Sequence, residues 1–250
     1  GVVAMHTHPT HTPDDLALFL RASPFGAYGH MLADQNTFNI LYGGERLFYR
    51  TGFKVSMSDP HRTGWYQQTK SANGMLINGN GEPISIEAGG KILRFLQGSH
   101  LAYAKGDASD AYKSRQTKED FGVKKFYRHV LLLKPDIIVI YDELEAAEPA
   151  SWSWLIHSMD NMKLDRKRNF FTTSQGRIKG AGKLWAPVPV KWTLTDTFSV
   201  PVINWRHPGN KEVDESYNRP QWHATATNRV KAGQIRFLTV IRAGEKVSAR

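Results

Sequence analysis

The chain has 250 residues, of which 40% are hydrophobic, 22% charged and 11% aromatic, a balance that excludes disordered, collagen-like and coiled-coil chains. Cysteine is absent, which excludes disulfide frameworks and thiolate chemistry, and no apolar run approaches the roughly 18 residues of a membrane-spanning helix. The formal net charge of +10 favours polyanionic partners such as nucleic acids, anionic lipid surfaces or acidic polysaccharides.

Strand patterns begin near the amino terminus, whereas helical periodicity is scarce throughout the chain. Leu16 to Leu20 is a short apolar strand, and Thr37 to Tyr42 alternates apolar and polar residues with the period of a strand. Gly43-Gly44 then turns the chain into Arg46 to Arg50, so the last two segments are predicted to form a hairpin.

A second hairpin is predicted in the middle of the chain. Phe126 to Leu133 and Ile137 to Leu144 are strand-like segments on either side of Lys134-Pro135-Asp136. Proline presets the backbone angle of a turn, and aspartate can accept bonds from the following amides. We expect these two strands to lie at the centre of a sheet.

Further strand patterns follow one another without intervening helices, which predicts an all-β fold, a large antiparallel β-sandwich of the supersandwich type. Turns are predicted at Asn78-Gly79-Asn80-Gly81 and Gly180-Ala181-Gly182, and surface loops at Ala146 to Pro149 and Pro208 to Asn218. No linker divides the chain, so residues 1–250 are expected to form one domain. The further strands are predicted at Gly74 to Ile77, Lys91 to Gln97, Ser153 to His157, Asn169 to Thr173, Val190 to Leu194, Gln221 to Ala226 and Gln234 to Ile241.

Two clusters of charged or metal-ligating residues have simple interpretations. The densest basic run, Lys163 to Arg168, is interpreted as the solvent-exposed end of a hairpin, because nucleic-acid-binding modules concentrate basic and stacking residues on one element. Nucleic acid is therefore not an expected partner. His6, His8 and His11 could form a metal clip, but a flexible lead-in at the terminus is favoured.

The segment from Ser23 to Phe38 is typical of a functional site. Gly26 and Gly29 allow backbone angles that would present His30 at the wall of a cleft. The three polar residues Asp34, Gln35 and Asn36 could then orient the imidazole or bind hydroxyl and carboxylate groups. The alternative is a loop histidine held by local hydrogen bonds.

With several short motifs that follow it in order, this segment resembles the carboxy-terminal domain of heparinase II/III-like polysaccharide lyases over about Ser23 to His157. The motifs are Asp59-Pro60-His61, Gly64-Trp65-Tyr66, Thr69 to Gly79, Gly106-Asp107-Ala108, Phe126-Tyr127-Arg128-His129, Lys134-Pro135-Asp136, Tyr141-Asp142-Glu143 and Trp154-Leu155-Ile156-His157.

The resemblance implies a two-domain bacterial enzyme, periplasmic or secreted, that cleaves uronate-containing polysaccharides by β-elimination. An amino-terminal α/α toroid, absent from this chain, would supply further catalytic groups and one wall of the cleft. His30 matches a histidine of the catalytic set. The isolated chain is therefore expected to be nearly inactive, since catalytic groups must converge on one substrate.

The chemistry of β-elimination accounts for the residues that the family uses. Removal of the C5 proton of a uronate builds negative charge beside a carboxylate, so donors or cations must neutralise that carboxylate first. An acid and a base then move the protons at C5 and at the departing O4 oxygen. His30 would supply one group and Tyr66 a second, although Tyr66 could instead pack in the core beside Trp65.

Several branches of the family bind zinc through positions that match Leu32, Arg50 and Ala72 in this chain. None of these side chains is a zinc ligand, so no metal and no cofactor is predicted here. Arg50 is expected to supply a permanent positive charge in place of the ion. The same departures leave open a second function, a non-catalytic carbohydrate-binding or structural module that has lost the lyase chemistry.

Further substrate-binding candidates have structural alternatives. Asn73 could bind a sugar carboxylate or serve only in its Asn-Gly turn. Arg128 could face the cleft or pair with Asp142 or Glu143 in the interior, and His157 could be a core histidine. The predicted substrate-binding set is Gln35, Asn36, Arg50, His61, Asn73, Arg128 and His157. The tryptophans on predicted strands could stack on sugar rings, but packing in the core is the favoured interpretation. They are Trp152, Trp154, Trp185, Trp192, Trp205 and Trp222.

Overall fold

The structure, a computed structural model, describes residues 1–203 and 219–247, which form eighteen strands joined by turns and four short helices. The strands are β1 Val2–His6, β2 Leu16–Arg21, β3 Thr37–Tyr42, β4 Glu45–Phe48, β5 Met75–Ile77, β6 Lys91–Gln97, β7 Leu101–Asp107, β8 Lys113–Ser114, β9 Glu119–Asp120, β10 Val123–Leu133, β11 Ile137–Ala150, β12 Trp152–Ser158, β13 Met162–Asp165, β14 Phe170–Gln175, β15 Ile178–Trp185, β16 Val190–Thr195, β17 Trp222–Asn228 and β18 Ala232–Gly244. The helices are 3₁₀ segments at Thr12–Asp14, Thr69–Ser71 and Ser109–Tyr112, and a π-helical turn at Arg62–Tyr66.

The sandwich has one large layer and one composite layer, which confirms the predicted all-β class. The large layer is an eight-stranded antiparallel sheet in the order β13-β14-β15-β18-β11-β10-β7-β6. The composite layer contains two four-stranded sheets, β1-β2-β3-β4 and β16-β17-β12-β5. A bridge between Phe38 in β3 and Asn73, just before β5, joins these two sheets. A separate two-stranded ribbon is formed by β8 and β9.

Aromatic side chains fill the space between the layers. The ring centroids of Phe48 and Phe171 are 5.6 Å apart, those of Trp154 and Phe171 6.0 Å, and those of Phe38 and Trp154 6.1 Å. These rings belong to one buried apolar cluster to which both layers contribute. Burying rings of this size dominates the energetics of a core.

The two predicted hairpins are confirmed, as is the exposed hairpin end at Lys163 to Arg168. The turn Gly43-Gly44 joins β3 to β4, and Lys134-Pro135-Asp136 joins β10 to β11. Both β10 and β11 have a strand on each side, so they are central in the large sheet as expected.

The predicted turn at Gly180-Ala181-Gly182 is wrong, because these residues lie within β15. Glycine occurs there for close packing: a Cβ on Gly180 would lie 2.6 Å from Cε2 of Phe48, and one on Gly182 would lie 2.6 Å from Cε2 of Phe171. Glycine inside a strand often marks such a close approach.

Two other loop predictions are corrected, and one lies outside the described residues. Ala146 to Pro149 continues β11 through an irregular register. Of the three histidines in the predicted flexible lead-in, His6 lies in the paired strand β1, whereas His8 and His11 are exposed beyond it. Pro208 to Asn218 is not described. Of the tryptophans, Trp152, Trp154 and Trp192 are buried, Trp222 is partly buried and Trp185 is exposed, whereas Trp205 lies outside the described residues.

Candidate active site

His30 lies on the surface, in the loop that joins β2 to β3. The loop bends there because the amide of Met31 donates to the carbonyl of Tyr28 at 2.9 Å and Gly29 has a φ of +57°. Nε2 of Gln67 donates to the carbonyls of Gly29 and Met31 at 3.2 and 2.9 Å. The backbone on both sides of the exposed imidazole is thus held in place.

A buried arginine connects His30 to Tyr66. Nη2 of Arg62 donates to the carbonyl of His30 at 3.2 Å, and the same guanidinium lies 5.6 Å from the ring centroid of Tyr66. Tyr66 ends the π-helical turn and is half-buried, whereas its neighbour Trp65 is buried. The structure therefore brings the two predicted acid–base residues to one region.

Arg50 adds a second positive charge at the same place. Its guanidinium lies 5.1 Å from the ring centroid of Tyr66, and its Nη1 donates to the Tyr66 carbonyl at 3.4 Å. Nη2 lies 3.5 Å from the carboxylate of Asp34, which also pairs with Arg21. Burial raises the pKa of Asp34, and the two arginines oppose that rise. Arg21 and Arg50 thus both pair with Asp34, while Arg50 and Arg62 both lie beside the Tyr66 ring.

Gln35 and Asn36 are fully buried and bond to the backbone. The side chain of Gln35 accepts from the amide of Ser23 at 2.7 Å and donates to the carbonyl of Phe25 at 3.0 Å. Nδ2 of Asn36 donates to the carbonyl of Phe126 at 3.0 Å. These bonds close the loop on itself and attach it to β10, instead of orienting the imidazole.

Arg128 forms the centre of a buried polar network below the loop. Its Nε and Nη2 donate to the two carboxylate oxygens of Asp142 at 2.6 and 2.9 Å, and Nη1 donates to the carbonyls of Asn36 and Asn73 at 2.6 and 2.9 Å. Of the alternatives that the sequence left open for Arg128, the structure therefore shows the pairing with Asp142 in the interior. A bidentate pair of this kind fixes geometry as well as charge.

Asn73 joins the two sheets of the composite layer. Its Nδ2 donates to the carbonyl of Phe38 in β3 at 2.9 Å, and its Oδ1 accepts from the amide of His157 in β12 at 2.7 Å. The side chain is fully buried. Asn73 therefore has a structural role, but its side chain bonds to two neighbouring strands and not within its own turn.

His157 and His223 share one hydroxyl. Oγ1 of Thr51 lies 2.9 Å from Nδ1 of His157 and 3.0 Å from Nδ1 of His223. A hydroxyl has one proton, so it can donate to at most one of the two rings, and at least one ring must donate to it from Nδ1. Burial lowers the pKa of His157 well below its usual value and lowers that of His223 to about 4. Both rings are therefore neutral near pH 7.

His61 is fully buried near this pair and uses both ring nitrogens. Nδ1 donates to the carbonyl of Val200 at 2.6 Å, and Nε2 accepts from the amide of Phe53 at 3.0 Å. Burial lowers the pKa of His61. Its contacts hold two loop segments together.

Exposure divides the predicted site residues into two groups. His30 is exposed and Tyr66 half-exposed, whereas the predicted substrate-binding residues all have less than a tenth of their surface exposed. For the buried group, direct contact with a ligand stays a prediction. What the structure shows is that their side chains bond to other protein groups in the interior. The buried residues are Gln35, Asn36, Arg50, His61, Asn73, Arg128 and His157.

The residues at the family's zinc positions do not fit a zinc ion. Arg50 is a cation paired with Asp34, Ala72 is buried and Leu32 half-buried, and neither of the last two has a donor atom. Within residues 1–203 and 219–247, no three His, Cys, Asp or Glu side chains group as a metal site. No helix in the same residues is long and apolar enough to cross a bilayer.

Sequence reasoning missed several residues of this region. Arg62 had no distinguishing pattern, and His223 becomes a neighbour of His157 only through the pairing of β17 with β12. Phe25 and Tyr28, beside His30, are 57% and 65% exposed. An exposed aromatic next to a histidine in a glycine-rich loop was a usable signal.

Known structures share this architecture. A heparinase III gene product superposes with a TM-score of 0.75 at 16% identity, over 98% of this chain and 35% of the other. The heparan sulfate lyase HepC from Pedobacter heparinus (15% identity) and a second heparinase III structure (17%) each give a TM-score of 0.72, over 99% of this chain and 36% of the other. At these identities the likeness shows the fold alone.

The chain spans about 35% of the length of the heparinase structures that it matches. No curated protein sequence matches it. The family model described as "Heparinase II/III-like, C-terminal" matches residues 1–238, nearly the whole sequence. The chain therefore belongs to the heparinase II/III-like carboxy-terminal domain family.

Proposed function

We propose that this chain is the β-sandwich part of a polysaccharide lyase that cleaves an acidic, uronate-containing polysaccharide by β-elimination, with His30 as acid or base. The observation that carries the proposal is the exposed imidazole of His30, fixed through its backbone to a cluster of arginines beside Tyr66. Membership in the heparinase II/III-like family supports the reaction class. The remaining catalytic groups would come from an amino-terminal α/α toroid.

The positive charge of the site suits the first requirement of the reaction. Arg50 and Arg62 bracket Tyr66, and Nε and Nη1 of Arg62 have no hydrogen-bond partner among the described residues. Cations held in a site with little water stabilise the charge that builds on the uronate carboxylate when the C5 proton leaves. The field of these guanidiniums would favour both an acidic sugar and the enolate-like transition state.

Proton transfer would be divided between His30 and Tyr66. One group removes the C5 proton and the other protonates the departing O4 oxygen, so no water is consumed and an unsaturated uronate results. Tyr28, exposed in the same turn as His30, would offer a face to a neighbouring sugar ring. The substrate implies an extracellular or periplasmic location.

The test uses the parent polypeptide in which this chain is joined to its toroid. It is incubated with heparan sulfate, hyaluronan, chondroitin and alginate while the ultraviolet absorbance of unsaturated uronate is followed. We expect turnover of at least one of these glycans and a 100- to 10,000-fold loss in His30→Ala. Full activity of a folded His30→Ala protein would contradict the proposal.

A non-catalytic carbohydrate-binding module is the second candidate. It is favoured by Leu32 and Ala72, which lack the polar groups that other branches carry at these positions, and by the structural hydrogen bonds of Asn73. The same incubation separates the two. Binding to a glycan without any absorbance change on all four substrates would support the module and reject the lyase.

A further inference from the structure

The outer face of the eight-stranded sheet has aromatic and basic residues in neighbouring strands. Side chains of β10 alternate between faces: Arg128 points inward to the network below the His30 loop, so Tyr127 and His129 point away from it. His129 pairs in register with Lys105 of β7 and with Tyr141 of β11. These side chains therefore share the outer face.

The row continues across the next strands. Tyr141 is in register with Leu238 of β18, and Leu238 with Trp185 of β15. The row of paired residues from Lys105 to Trp185 therefore crosses five adjacent strands, a width of about 19 Å. Tyr127 belongs to the adjacent row, where it pairs with Glu143, and Glu143 pairs with Arg236. We call this surface the outer aromatic patch. It consists of Lys105, Tyr127, His129, Tyr141, Trp185 and Arg236.

Cations lie on the rings of the patch. Nζ of Lys105 is 4.1 Å and Nζ of Lys125 is 5.7 Å from the ring centroid of Tyr127, and Nζ of Lys183 is 5.0 Å from that of Trp185. Trp185 is 43% exposed. Trp185 is thus exposed to solvent with a lysine beside its ring, and the half-buried ring of Tyr127 has two lysines beside it.

The patch also contains groups that accept and donate hydrogen bonds. Nδ1 of His129 lies 2.7 Å from the hydroxyl of Tyr103, and its Nε2 lies 2.9 Å from the carboxylate of Glu143. Beside these three hydrogen-bonded side chains lies a depression of about 310 Å³. It is lined by Lys125, Glu143, Leu144, Glu145, Pro187, Gln234, Ile235 and Arg236. Sugar hydroxyls could donate to its carboxylates, while acidic groups of the sugar meet its cations.

We propose that the outer aromatic patch binds an acidic polysaccharide chain at a second, non-catalytic site on the side of the sandwich opposite the His30 loop. The proposal takes its ligand class, but no residue, from the proposed function. Charge complementarity favours this occupant: interface cores between proteins are depleted in charged residues, whereas the rings of Tyr127 and Trp185 are each flanked by lysine. A nucleic-acid backbone is disfavoured because phosphates offer no donor to Glu143 and Glu145.

The test measures binding of heparan sulfate to this chain by calorimetry, with dextran as the neutral glycan. We expect Lys105→Ala/Trp185→Ala to weaken heparan sulfate binding about tenfold or more, with the unfolding temperature unchanged. Arg46→Ala/Tyr49→Ala is the matched control, because it also removes one cation and one aromatic, here a guanidinium 4.8 Å from a tyrosine ring centroid, in and beside β4. It should change the affinity less than twofold.

Unchanged affinity in the Lys105/Trp185 variant, equal losses in both variants, or equally tight binding of duplex DNA would overturn the proposal. His30→Ala separates the two sites: it removes turnover in the proposed parent enzyme, whereas adding Lys105→Ala/Trp185→Ala should weaken heparan sulfate binding by the same factor in the His30→Ala background as without it. A parent protein without lyase activity whose patch still binds would reject only the proposed function.

Discussion

The exposed histidine of this domain and the buried histidines near it do different work with the same side chain. His30 reaches solvent from a turn whose backbone is bonded to Gln67 and Arg62. His61 and His157 lie in the interior, where burial lowers their pKa values, and at least one ring nitrogen of each bonds to a protein group. A polar residue in a family motif can therefore serve the fold as readily as the chemistry, and burial separates the two roles.

The largest stability effect should come from the centre of the buried network. Arg128→Ala leaves Asp142 as an unpaired buried charge, which costs about 3–5 kcal/mol of the free energy of unfolding. The matched control is Arg242→Ala, which removes the mostly exposed partner of Asp136 and should cost less than about 1 kcal/mol. Urea unfolding measures both, and similar losses would contradict the division between buried and exposed groups.

Acid should destabilise the domain through the buried ring of His223. The folded pKa of His223 is about 4, below the unfolded value near 6.5, so the unfolded chain takes up protons first as the pH falls. The stability that the neutral ring provides is complete above pH 6.5 and is lost between about 6.5 and 4, on the order of 3 kcal/mol for this ring. His223→Gln should flatten the unfolding free energy over that range, and a slope as steep as before would contradict the account.

Removing the Asn73 side chain should lower the free energy of unfolding by a smaller amount, because two buried backbone groups lose their hydrogen-bond partner. Asn73→Ala leaves the carbonyl of Phe38 and the amide of His157 without their side-chain partner, at a cost of about 1–3 kcal/mol. Asn161→Ala, at an exposed position, is the control and should stay within about 0.5 kcal/mol. Thermal unfolding compares the two, and an unchanged unfolding temperature for Asn73→Ala would show that the joint between the sheets is dispensable.

Local features of the fold could be predicted from the sequence, because turns and strand alternation are local signals. The hairpins at Gly43-Gly44 and Lys134-Pro135-Asp136 followed from such signals. The prediction at Gly180 and Gly182 was wrong, since the rings that exclude their Cβ atoms come from two other strands, β4 and β14, and their approach is seen only in the folded chain. The division into one large and two small sheets also depends on long-range pairing that no local pattern encodes.

The candidate site was only partly predictable for the same reason. His30 and Tyr66 could be selected from glycine spacing and family resemblance. The roles of Arg128 and Asn73 depend on which strand face turns inward and on partners as far away as Phe38 and His157. Arg62, which links the two acid–base candidates, has a role that only the folded chain reveals.

The most direct test of the division between exposed and buried histidines compares His30→Gln with His157→Gln in the proposed parent polypeptide. Turnover per folded molecule, followed by the absorbance of unsaturated uronate, is measured beside the unfolding temperature. The account predicts that His30→Gln loses turnover at an unchanged unfolding temperature, whereas His157→Gln unfolds at a lower temperature but keeps its turnover. An inactive His157→Gln protein of full stability, beside an active His30→Gln protein, would contradict it.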